Sequence, residues 1–269
     1  MVSITLYNLV DSFWVARLST QALAALTATF PYFILAAAVG YGTGTGLNVL
    51  VARKFGEKDT ESANHAAGQI FFLTAVIGTL FLLPCILLTR PILILCGATP
   101  DILDLGVSYL FVVGFFMPFY TFQIIARNMF QASGDAIHPM IFTLFGQLLN
   151  VVLDPLLIFG WGFFPKMGIT GAAVATVISS AGGAGLAIIY MNSKRSTFKL
   201  KLHHLQPNFR TIKEIYRIGL PAMLMQTTES LIFILFNRAV SGFGSVALAA
   251  MGIAARISDL AFIPIIGMA

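Results

Sequence analysis

Residues 147–160 read "QLLNVVLDPLLIFG". Without Gln147, Asn150 and Asp154 this would be an ordinary apolar, lipid-soluble helix. At about 100° per residue the three fall at i, i+3 and i+7, one polar stripe on one face. A charge at mid-bilayer costs roughly 2.5–3.5 kcal/mol on insertion scales, so a carboxylate there marks a position with work to do. Pro155 follows at once; it lacks an N–H and frees the carbonyl of Val151 towards the same face. An oxygen-rich stripe suits a hard monovalent cation or a proton. The plainer alternative is a kinked helix with a packing carboxylate.

The rest of the chain agrees with a bilayer as solvent. Of 269 residues, 58% are hydrophobic and 10% charged, with a mean hydropathy of +0.88. A soluble globule leaves too much surface wet to hide that much apolar area. Eight apolar runs are predicted to span: about 1–18, 25–52, 66–90, 105–132, 138–160, 168–192, 215–240 and 250–269. Alternation of the barrel type is missing, so the fold class is an all-α polytopic membrane protein. The first run reaches only about 25 Å at 1.5 Å per residue and the last stops inside an apolar stretch, so the sequence reads as part of a longer protein.

The net charge of +5 belongs to topology rather than to nucleic acid, since the basic residues flank the apolar runs. Eleven Lys and Arg, Arg127 among them, are assigned to the loops after runs two, four and six; five, Arg17, Arg90, Lys166, Arg238 and Arg256, to the other side. The even loops and the N-terminus are therefore expected in the cytoplasm. The basic stretch "NSKRSTFKLKLHHLQPNFRTIKE" (192–214) is expected to be a linker between two lobes, 1–192 and 215–269, with 193–214 between them. "ALAAL" (22–26) and "ALAAM" (247–251), six runs apart, echo one another as a parallel repeat would.

Three further acidic residues interrupt apolar runs. Asp11 shares a face with Tyr7 and Asn8, Glu229 follows Gln226 by three, and Asp259 is expected to pair locally with Arg256. His203 and His204 read as solvated loop residues, as do His65 and His138 at run edges. Cys85 and Cys96 read as buried single thiols. "VGYGTGTGLN" (39–48) lacks the strand and spacing of a dinucleotide loop; its glycines read as a close helix contact.

"YNLVDSFWVARLS" (7–19), "GATPDILDLGVSYL" (97–110), "RNMFQASGD" (127–135), "NVVLDPLLIFG" (150–160) and "MGITGAAVATVIS" (167–179) together resemble the multidrug and toxic compound extrusion (MATE) transporters, most closely the DinF-like branch. The resemblance implies a twelve-helix protein of two six-helix lobes, of which this chain would supply one lobe and the first two helices of the second. It implies a secondary active transporter, not an enzyme, with no cofactor beyond a coupling ion, Na⁺ or H⁺. It would sit in the plasma or inner membrane as a full-length monomer and export cationic or amphipathic small molecules. The coupling-ion site would comprise Asp11, Asn150, Asp154 and Thr176, with Thr170 as second choice for the threonine; Glu229, Tyr7 and Gln147 are candidates for coupling or substrate contact. Asp11 and Asp154 are expected to share one cavity.

Three alternatives are set against this. A lipid-linked oligosaccharide flippase should carry cations inside its cavity, whereas the interior groups found in the sequence are acidic. An intramembrane aspartyl protease wants Gly-x-Gly-Asp, and "VVLDP" is not that. A non-transporting fragment would hold its carboxylates only for packing.

Overall fold

In the computed structural model every regular element among the described residues is a helix, joined by turns and short loops. The chain forms α1 (Val2–Leu18), α2 (Thr20–Gly56), α3 (Thr60–Leu87), α4 (Thr89–Leu95) and α5 (Leu103–Gly114). It continues with α6 (Met117–Ala132), α7 (Ile137–Phe159), α8 (Ile169–Met191), a short 3-10 turn (Leu202–Leu205), α9 (Phe209–Ser241) and α10 (Ser245–Met268). The structure describes residues 2–162, 164–193 and 195–268, with side chains for 9–162, 164–193 and 195–258.

Capping side chains fix several helix starts. Ser19 Oγ accepts from Ala22 N at 3.0 Å, Asp59 Oδ1 from Ser62 N at 3.0 Å, and Asn208 Oδ1 from Arg210 N and Thr211 N at 3.0 and 3.1 Å. Each supplies a partner to an amide the helix cannot satisfy itself. At the other end of α7, Gly160 takes φ 72° and closes the helix.

Five described helices are long and apolar enough to cross a membrane, or six if α5 and α6 count as one span bent by 55°. α1 has 17 residues, and the apolar part of α10 within the described side chains, Ser245–Ser258, is also shorter than a full span. Two breaks differ from the expected runs. In the third run α3 ends at Leu87, after which Arg90 and Pro91 belong to the separate α4, and the run 105–132 is broken at Phe115 and Phe116. Both breaks lie in sequence that stays mostly apolar, so composition alone did not show the change of direction.

The tightest helix contact joins α2 to α9. A Cβ on Gly46 would strike the carbonyl of Ile215, and one on Gly219 the carbonyl of Gly42, so the two backbones touch where side chains would otherwise stand. The glycines of "VGYGTGTGLN" thus serve close approach, as their pattern implied. Ser230 Oγ donates to Pro31 O at 2.8 Å and Asn237 Nδ2 to Thr27 O at 3.3 Å along the same pair.

The linker is strapped down rather than loose, and its helix α9 begins at Phe209, six residues before the expected start of the second lobe. Gln69 Nε2 donates to His204 O at 3.3 Å and Gln206 O at 2.9 Å, while Gln69 Oε1 accepts from Asn208 N at 2.9 Å. Asn64 Oδ1 accepts from Lys199 N at 2.9 Å. Two polar side chains of α3 thus hold the linker backbone against the helix at several points. Cys85 and Cys96 are buried and free.

Candidate functional site

The site is built where α1, α7 and α8 meet. An aromatic cluster seats α1: Trp14 lies edge-on to Phe159 (6.0 Å between centroids) and Trp161 (5.9 Å), and the Arg17 guanidinium sits 4.5 Å over the Phe13 ring. That clamp near the ends of α1 and α7 fixes Asp11 one turn earlier on α1. On α7 the stripe read from the sequence turns inward: Asn150 is 1% exposed, Asp154 0%. α8 brings Thr176, whose Oγ1 donates to Ala172 O at 2.9 Å and accepts from Asn150 Nδ2 at 3.4 Å. Thr170 lies about a turn and a half nearer the start of α8 and is absent from the lining of the cavity described below, which includes Thr176.

The carboxyl groups of Asp11 and Asp154 face one another within hydrogen-bonding reach. Among the described residues, Asp11 Oδ1, both oxygens of Asp154, Asn150 Oδ1 and Gln147 Oε1 are buried and receive no conventional hydrogen bond. Ionised carboxylates are acceptors only and cannot satisfy each other. A proton or an oxygen-seeking cation between them can. The donor set, all oxygen and without thiolate or imidazole, fits a hard ion.

Asp11, Asn150, Thr176 and Gln147 line a cavity of about 250 Å³ that continues past Phe30, Phe33, Phe116 and Tyr120 to Tyr41 and Arg127. Sequence reasoning missed the second half of this wall. The charge pattern assigns Arg127 to a loop and Arg256 to the opposite side, yet both line the cavity. Removing them leaves ten basic residues against four, the same sign. The signal was available: Arg127 falls inside the run 105–132, where a charge is as costly as it is at Asp154. The expectation of acidic interior groups alone is therefore corrected, since two guanidinium groups share the space with Asp11; Asp154 is fully buried outside the lining, so the two carboxylates expected in one cavity are divided between its wall and the packing behind it.

Other candidates fall elsewhere. Glu229 is exposed on α9, accepts from Gln226 Nε2 at 2.6 Å and is outside the cavity lining. The side chains of Tyr7 and Asp259 lie outside the described residues. His204 is not solvated: it is fully buried, and its Nε2 and that of His203 each lie 2.9 Å from Glu61 Oε1. These three groups are close enough to suggest a metal site. However, His204 Nδ1 accepts from Lys201 N at 3.0 Å, which places the ring proton on Nε2 and leaves no lone pair there for a metal. The cluster reads as a polar clamp on the linker. His138, also expected in solvent, stacks on Tyr190 at 4.1 Å and bonds Asp135 at 2.9 Å.

A bundle of long apolar helices holds these buried carboxyl groups beside an aromatic-lined cavity, and its sequence and fold match one family of membrane transporters. The sequence profile of the MatE family matches residues 1–156 and 221–269, and the chain belongs to this family, the multidrug and toxic compound extrusion transporters. It is 26% identical over 264 residues to the multidrug export protein MepA of Staphylococcus saprophyticus, covering 98% of this chain and 58% of that protein. It is 26% identical over 254 residues to the probable multidrug resistance protein YoeA of Bacillus subtilis, covering 93% of this chain and 55% of that one. A solved structure of the MATE multidrug transporter DinF-BH, in a ligand complex, superposes with a TM-score of 0.91 at 30% identity, over 98% of this chain and 59% of the other. The chain thus spans somewhat over half the length of these relatives.

Proposed function

We propose that this chain carries the coupling-ion site and much of the substrate cavity of a cation-driven antiporter that exports amphipathic organic molecules, cationic ones included. The observation that carries the reading is the pair Asp11 and Asp154, buried face to face with Asn150 and Gln147 beside them and five oxygens without a conventional donor. Like-charged carboxylates in a poorly hydrated space repel, so Na⁺ or a proton entering between them relieves the repulsion. Neutralising the pair changes the potential felt by a cationic substrate in the same cavity, and Pro155, with its missing donor, gives α7 a place to repack. Ion entry and substrate release are thereby linked through charge, through shape, or through both.

The family relationship supports the wider arrangement in this proposal: eight spans here, six forming the first lobe and α9 and α10 opening the second, in a monomeric plasma-membrane protein with its N-terminus and linker in the cytoplasm. Arg127 and Arg256 favour a second reading, movement of a lipid-linked anionic headgroup, which would use the guanidinium groups and leave the carboxylate pair without a task.

Ethidium efflux from proteoliposomes, driven separately by a Na⁺ and a proton gradient, tests the proposal with the full-length transporter. Asp11→Asn and Asp154→Asn are each expected to lower gradient-driven efflux about tenfold or more while folding is retained, and the effective gradient names the ion. Undiminished efflux in both variants would reduce the pair to packing residues.

A further inference from the structure

Arg127 has no task in ion coupling, and its placement is costly unless it has another. It lies in α6, five residues before the helix ends, and faces the cavity instead of the lipid headgroups that a topological anchor would seek. Nη2 donates to Tyr41 Oη at 2.6 Å, and the guanidinium carbon lies 5.3 Å from the centre of the same ring. Both contacts orient the planar fork, and neither neutralises it, because phenol is uncharged. One hydrogen bond also leaves most of the guanidinium's N–H donors for a further acceptor.

The carboxylates that line or adjoin the cavity are remote from it. Gln123 Nε2 donates to Ser180 O at 2.8 Å, and neighbouring Ser179 backs onto Gly146 of α7, which sets a common level for the three helices. From that level Arg127 is one turn along α6, about 6 Å, while Asp154 is eight residues the other way along α7, about 12 Å. Asp11 and Arg256 therefore stand together at one end of the cavity and Arg127 at the other, away from any lining carboxylate, and the aromatic wall of Phe33, Phe116 and Tyr120 joins them, with Phe116 and Tyr120 stacked at 4.7 Å.

We infer that Arg127, held by Tyr41, is an anion subsite: the cavity selects flat aromatic substrates that carry an acid group, zwitterions above simple cations. The planar fork pairs with a carboxylate or a phosphate through two parallel N–H···O bonds, and the aromatic wall takes the ring system. This rests on the reading of the cavity as the substrate site.

The test uses two dyes with one xanthene core, a rhodamine whose carboxyl is an ethyl ester and its free acid. Binding of each to the purified protein is measured by fluorescence polarisation, for the wild type and for Arg127→Gln and Arg127→Lys. The wild type is expected to favour the free acid about tenfold, as one charge-assisted hydrogen bond would. Arg127→Gln should bring the ratio of the two affinities to about one, and Arg127→Lys should keep part of the preference. A wild type that binds both dyes equally would overturn the subsite and leave the cavity reading standing. So would an Arg127→Gln protein that weakens for both by the same factor, since that marks a structural role. If neither dye binds the wild type, the cavity reading falls and the subsite with it.

Discussion

Pro31 has no N–H, so within α2 the carbonyl of Thr27 loses its helical donor. Asn237 of α9 supplies one at 3.3 Å, and Ser230, two turns earlier, donates to the carbonyl of Pro31 itself. Unsatisfied carbonyls are more expensive in lipid than in water, where solvent would bond them. Asn237→Leu is expected to destabilise the protein by about 1 kcal/mol, read from reversible unfolding in mixed micelles; an unchanged midpoint would mean that Thr27 finds another donor. Legibility at this scale followed periodicity. Gln147, Asn150 and Asp154 announced themselves because a helix repeats and carboxylates are rare in lipid. Tyr41 and Tyr120 did not, because an aromatic residue reads the same whether it faces lipid, core or cavity. Arg127 was readable in principle and was mistaken for a loop residue because basic residues also mark span ends.

The helices themselves were plain in the sequence, and their junctions were not. Each of the eight apolar runs coincides with helix, but the bend between α5 and α6 and the separate α4 interrupt runs that remain mostly apolar across the break. Direction is set by packing, which composition does not record. The α2–α9 contact shows what sets it: Gly219→Ala would place a methyl on the carbonyl of Gly42, so the helices must separate, with an expected loss of about 1–3 kcal/mol in the same unfolding measurement. The strap on α3 gives a second expectation. Gln69→Leu removes the acceptor of Asn208 N and the donor to His204 O and Gln206 O, and trypsin should then cut at Lys199, Lys201 and Arg210 several times faster than in the wild type. Equal cutting rates would show that Asn64 and Glu61 hold the linker without it.

For the whole molecule the testable quantity is orientation. With the linker inside the cell, Lys213→Cys should react with an impermeant maleimide only in inside-out vesicles, and Lys166→Cys only in right-side-out ones; native Cys85 and Cys96 are buried and should contribute little background. The reverse pattern would invert the topology proposed here. Only 11% of the apolar window of α9 is buried, and Leu224, Met225, Leu231 and Leu235 face outward from the bundle. One flank of this helix is therefore committed to α2 and the other is apolar and uncovered within the chain. Interdigitated side chains act as gear teeth, and a contact made of them moves only by jumping from one mesh to the next. Where Gly46 and Gly219 bring their own bare backbone against the backbone of the facing helix, the teeth on the glycine side are missing. That stretch is a plain bearing, close-fitting across its width and smooth along its length, on which α9 can glide along α2 in the transport cycle proposed here.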